Sequence, residues 1–71
     1  MNYSQQRNCI LNIVVSNPIH PTAEQVYDIA RHSYPKISLG TVYRNLNQLA
    51  DHGILKKICS SYGSVRFDGR T

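Results

Sequence analysis

The 71-residue sequence has no tryptophan, one methionine, one phenylalanine and only four acidic residues. At 71 residues the chain makes one small domain at most, near the size at which a single core is barely sufficient without a metal, a disulfide or a partner. The shortage of acid sets eight Lys and Arg against four Asp and Glu, a net charge of +4 that favours polyanionic partners without selecting one. The four acids and three histidines form no paired carboxylates, no nucleophile stands beside a base, and there is no glycine-rich phosphate loop. The expectation is therefore a protein that is not an enzyme. Cys9 and Cys59 stand far apart with no CxxC pair, which excludes a thiolate zinc cluster and a dense disulfide framework and leaves two reduced, largely buried thiols as the plain reading. No run approaches the ~18 apolar residues of a membrane span, and "MNYSQQRN" lacks the charged start and apolar core of a secretory signal, so a cytoplasmic protein without a membrane partner is expected. With no repeat, low-complexity tract or linker, residues 1–71 read as one unit.

What is present is periodic. Residues 4–16, "SQQRNCILNIVVS", place Ile10, Ile13 and Val14 on one helical face behind a Ser4 cap, and Pro18 and Pro21 end that helix. "TAEQ" at 22–25 is a capping box opening a second helix to about Ser33, with Ala23, Val26, Tyr27 and Ala30 on one face; Tyr34, before Pro35, leaves the helical region. Ser38 reads as the N-cap of a third helix, flanked by an Ile37–Val42 staple. Leu39, Val42, Leu46, Leu49 and Ala50 form its inner stripe, and Gly53 suits the left-handed residue past its end. "ILKKIC" and "SVRFD" around "SSYGS" then read as a two-stranded hairpin, with imperfect alternation in the first strand.

Three helices followed by a hairpin is the order of an α+β winged helix-turn-helix, in which the third helix, about residues 38–52, enters the major groove of double-stranded DNA. Opposite its inner stripe lie Thr41, Arg44 and Gln48, with Asp51 the only acid, a face that suits base edges. Arg44 can donate two parallel bonds to guanine, and Thr41 or Tyr43 can offer an apolar edge to a thymine methyl; Tyr43, about 70° from the stripe centre at 100° per residue, is placed either to pack or to reach DNA. Lys56, Lys57 and Arg66 fall on the hairpin, where they serve as phosphate contacts or as ordinary edge-strand charges. A winged helix used instead as a protein-interaction module, with Tyr43, Leu46 and the wing meeting another chain, is the alternative from a different class.

"YSQQRNCIL", "HPTAEQVY", "SLGTVYRNLNQLADHGIL" and "RFD" resemble, in order and spacing over nearly the whole chain, the N-terminal domain of the ferric uptake regulator family. The resemblance implies a bacterial, metal-responsive transcriptional repressor that binds palindromic operators as a homodimer. It also implies a C-terminal domain for dimerisation and most metal ligands, which has no counterpart in these 71 residues. Tyr43 and Arg44 of "TVYR" resemble the family's major-groove contacts. His20 of "HPTA" and Asp68 of "RFD" look like the two regulatory-metal ligands that this domain contributes, an N/O pair suited to iron, manganese or zinc but incomplete without ligands beyond the hairpin. No cofactor is thus expected of these residues alone. Asp rather than Glu at position 68 resembles the peroxide-responsive subgroup. The chain departs from the family at Asn2, which stands where a basic residue usually reaches the minor groove, and at Gln5, which replaces a proline.

Overall fold

The structure is a computed structural model and describes residues 3–17, 20–59 and 65–69; Asn2, Pro18, the turn expected at 60–64 and the side chain of Ser4 lie outside the described residues. Three helices, α1 (Tyr3–Ser16), α2 (Ala23–Ser33) and α3 (Leu39–Asp51), precede an antiparallel pair, β1 (Lys56–Cys59) and β2 (Val65–Asp68). The expected α+β winged helix-turn-helix is what is found, although α1 begins at Tyr3, which puts Ser4 inside the first turn rather than at the cap.

The helix ends follow from local chemistry. Thr22 Oγ1 accepts from Gln25 N at 3.2 Å while Gln25 Oε1 accepts from Thr22 N at 2.9 Å, so the capping box closes both ways. Ser38 Oγ accepts from Thr41 N at 3.1 Å and caps α3. Such caps contribute about 1 kcal/mol each. At the far end of α3, Gly53 takes φ 75°, its N–H donates to Ala50 O, and Ile54 N–H reaches back to Leu49 O; this paired return of the chain needs the left-handed conformation that glycine adopts cheaply.

The core gathers Ile10 and Val14 of α1, Ala23, Val26 and Ala30 of α2, Ile37, Val42, Leu46 and Leu49 around α3, then Leu55 and Phe67. Ile13 and Tyr27 pack against this cluster half-buried. On α3 the buried arc is Val42, Asn45, Leu46 and Leu49, while Leu39 and Ala50 are half-buried. At about 100° per residue the inner face is therefore rotated some 40° toward Asn45 from the stripe expected of apolar residues alone. Asn45 tolerates burial because its Nδ2 donates to Thr41 O at 2.9 Å. The thiols also differ from expectation. Cys9 is half-buried and Cys59 is exposed, because β1 is covered on neither face along most of its length.

Phe67, 1% exposed, anchors the wing. Its N–H donates to Pro21 O at 3.0 Å, and Thr22 bridges Arg66 in antiparallel fashion, so β2 is paired on one side with β1 and on the other with the loop before α2. This second pairing ties the wing to the helix-turn-helix and has no strand pattern in the sequence.

Candidate nucleic-acid interface

With the inner face rotated, the outward arc of α3 is centred between Gly40 and Arg44, and Gly40, Tyr43, Arg44, Gln48 and Asp51 are all exposed. Arg44 stands near its centre. Tyr43, 38% exposed, lies at the edge facing α2, where its hydroxyl donates to Glu24 Oε2 at 3.2 Å. That hydrogen bond, with smaller contributions from desolvation and the carboxylate's charge, holds the phenol above its ordinary range. Thr41 is half-buried on the opposite flank, and its hydroxyl is hydrogen-bonded to Ser38 Oγ at 2.9 Å.

The structure brings Thr41, Tyr43, Arg44 and Gln48 onto one side of α3, but it divides the wing cations. Lys56 and Lys57 are exposed on β1. Arg66 is half-buried and donates through Nη1 to His20 O at 2.9 Å, so part of its charge is spent inside the molecule.

That same bond holds His20. The residue has φ 55°, a left-handed conformation that costs most side chains about 1–3 kcal/mol and runs against the extended preference of a residue preceding proline. Arg66 Nη1 on His20 O and Phe67 N–H on Pro21 O pin the strained stretch from both sides. The imidazole is thereby turned toward the end of β2: Nδ1 lies 3.6 Å from Asp68 Oδ1. The atom is buried and has no hydrogen-bond partner, since 3.6 Å is too long for one. Two donors held about 2.1 Å from one tetrahedral ion stand about 3.4 Å apart, so an imidazole nitrogen and a carboxylate at this spacing fit a shared divalent metal. Two ligands alone leave such an ion mostly hydrated, and among the described residues no group of three or more His, Cys, Asp or Glu could hold one. The register also sets Lys56 opposite Asp68.

Sequence reasoning missed Glu24 and Asn45. Glu24 is 19 positions from Tyr43 and reads as a first-turn acid. Only the packing of α2 on α3 reveals its second role. Asn45 was detectable in principle, since it falls within the inner arc, but an amide there signals nothing until its backbone acceptor is seen. A cleft lined by Cys9, Asn12, Ile13, Ile29 and Tyr34 between α1 and α2 shares no residue with either site. Among the described residues no helix is long and apolar enough to cross a membrane.

Comparison with known proteins bears on the fold and the family. The profile of the Ferric uptake regulator family matches residues 1–71. The peroxide-responsive repressor PerR of Staphylococcus aureus (strain USA300) is 39% identical over 66 residues, 93% of this chain and 45% of that protein. The solved peroxide stress regulator of Campylobacter jejuni superposes with a TM-score of 0.83 at 35% identity, covering 93% of this chain and 48% of its own. A manganese uptake regulator gives 0.85 at 30% identity over the whole of this chain and 51% of its own. These relatives are named as repressors and regulators rather than as enzymes, and the chain spans about half their length. By sequence profile, by identity and by fold, the chain belongs to the Ferric uptake regulator family.

Proposed function

We propose that this chain is the DNA-binding unit of a metal-responsive transcriptional repressor and reads operator DNA with the outward face of α3 in the major groove. The observation that carries this reading is the capped α3 itself, which buries one side in the core and leaves Arg44 exposed at the centre of the other. Arg44 donates to guanine, Tyr43, Thr41 and Gln48 contact neighbouring bases, and Lys56 and Lys57 with the free part of Arg66 meet phosphate. One copy covers one half-site. A homodimer, built by a C-terminal dimerisation and metal domain of the kind the family carries, covers two, and a cytoplasmic location follows from the DNA partner.

His20 and Asp68 are the residues of this chain that hold the regulatory metal, iron, manganese or zinc; a relative named as a zinc-bound manganese uptake regulator has the same fold, with a TM-score of 0.87. A bound metal would supply a positive charge able to tie these two residues to further ligands. The work of this chain is to hold the His20 ring beside the Asp68 carboxylate, Nδ1 3.6 Å from Oδ1, on a left-handed His20 backbone. The spacing of two recognition helices in a homodimer would then depend on His20 and Asp68, while the base contacts of each helix stay with α3.

Fluorescence anisotropy with a mixed-sequence duplex at rising salt tests the DNA reading. The logarithm of the binding constant should fall linearly with the logarithm of salt concentration. A salt-insensitive or absent interaction would move the chain to the protein-interaction alternative.

A further inference from the structure

We infer that Glu24 fixes the hydrogen-bonding polarity of Tyr43, so that at the DNA the phenol acts only as an acceptor and selects the exocyclic amino group of adenine or cytosine. The inference rests on the DNA-reading function proposed above and adds a positioning residue, on α2, that need not touch DNA.

A tyrosine hydroxyl carries one proton and can donate once, whereas a carboxylate only accepts. Tyr43 Oη spends its single proton on Glu24 Oε2 at 3.2 Å. A tyrosine is already neutral across the physiological range, and the same hydrogen bond raises the phenol further above its ordinary value. What the exposed side of the oxygen then offers is lone pairs. Phosphate oxygens, guanine O6 and N7 and thymine O4 are acceptors and cannot bond to it, but adenine N6 and cytosine N4 carry amino protons in the major groove and can.

The anchor itself is held in place. Glu24 follows Thr22 by two residues, in the first turn of α2, where the reciprocal Thr22–Gln25 bonds fix the helix start and the helix dipole favours a negative charge. α2 packs on α3, so the carboxylate reaches Tyr43 without any motion of the recognition helix. Arg44 beside it is a pure donor. Adjacent residues thus present opposite polarities, Arg44 for guanine and Tyr43 for an amino-bearing base. An isolated Tyr hydroxyl could rotate to suit either kind of edge and would discriminate little.

The test is selection from a pool of randomised duplex DNA at low salt with the unmodified chain, Glu24→Gln, Tyr43→Phe and Arg44→Ala. Enriched sequences are aligned on the guanine that disappears with Arg44→Ala. The unmodified chain should favour A or C over G or T on one strand at one further position. Both Glu24→Gln, whose amide can donate to the phenol and free its proton, and Tyr43→Phe should reduce that preference roughly two- to tenfold, the worth of one hydrogen bond, and leave the guanine position unchanged. A merely structural role for Glu24 would lower affinity evenly and move no base preference. Thermal unfolding confirms that each variant is folded, as substitutions at exposed positions should be. An Arg44-dependent guanine with every other position unchanged in Glu24→Gln and Tyr43→Phe overturns the inference and leaves the DNA reading intact. A thymine preference that survives Tyr43→Phe assigns the contact to the ring edge and also overturns it. If the unmodified chain enriches no sequence, the DNA-reading function fails and the inference with it.

Discussion

Lys57→Gln and Arg66→Gln separate two cations that look alike in the sequence and differ in the fold. Lys57 is exposed on β1, opposite Phe67, while Arg66 is half-buried with Nη1 on the carbonyl of strained His20 at 2.9 Å. Each phosphate contact adds about 0.9 to the slope of log affinity against log salt, so losing Lys57 should lower the slope by about that much. A fourfold rise in salt would then weaken the unmodified chain about 3.5 times more than the variant. Folding stability should stay within about 0.5 kcal/mol, since no hydrogen-bond partner among the described residues is left stranded. Arg66→Gln should behave differently. A charged hydrogen bond contributes about 1.5–3 kcal/mol when well buried, and half-burial puts this one near about 1–2 kcal/mol. In a domain this small that lowers the melting temperature by roughly 5–15 °C. Circular dichroism melts and salt-dependent anisotropy on both variants give the two readouts. An Arg66→Gln chain as stable as the original, with the slope reduced by 0.9, would show that Arg66 serves phosphate alone and that the His20 strain is pinned by something else.

Gly69→Ala should destabilise the fold by about 1–3 kcal/mol in urea titration, because the added Cβ would lie 2.7 Å from Val15 Cγ2 and 3.1 Å from Val15 Cα; a second change, Val15→Ala, should recover only part of the loss. The Tyr43 phenol should titrate above pH 10 in ultraviolet difference spectra and return toward 10 in Glu24→Gln. Since its folded value is raised, the linked stabilisation is complete below the unfolded value and is lost as pH climbs through the folded one. Calorimetry with Mn²⁺ or Zn²⁺ should show weak binding by these 71 residues, abolished by His20→Ala; sub-micromolar affinity retained in that variant would remove His20 from the site.

Most of the fold was legible because its signals are local. The Thr22–Gln25 box, the Ser38 cap and Gly53 each act within a few residues, and each stands where the pattern places it. The rotation of α3 was not legible, since it depends on Asn45 finding the Thr41 carbonyl, which lets a polar residue share the inner face. Nor was the pairing of β2 with the loop before α2, where one backbone bond from Phe67 and a single bridge at Thr22 leave no alternation to read. The site divides the same way. Arg44 could be placed outward by periodicity alone, but the meeting of His20 with Asp68 spans 48 positions and that of Tyr43 with Glu24 spans 19, and only tertiary packing creates them. Family resemblance supplied the first pair, and nothing in the sequence supplied the second. Cys59 was misjudged as buried because thiols usually are, while a short wing strand has too little cover to bury one.

The central claim, that α3 reads bases with Arg44 at the middle of its outward face, is tested most directly by titrating the unmodified chain and Arg44→Ala against a selected half-site and against a duplex that lacks it. A bidentate contact to guanine is worth about 1–3 kcal/mol of discrimination, so the variant should lose roughly five- to 150-fold on the half-site and far less on the other duplex. Equal losses on both duplexes would make Arg44 a phosphate contact and contradict the account.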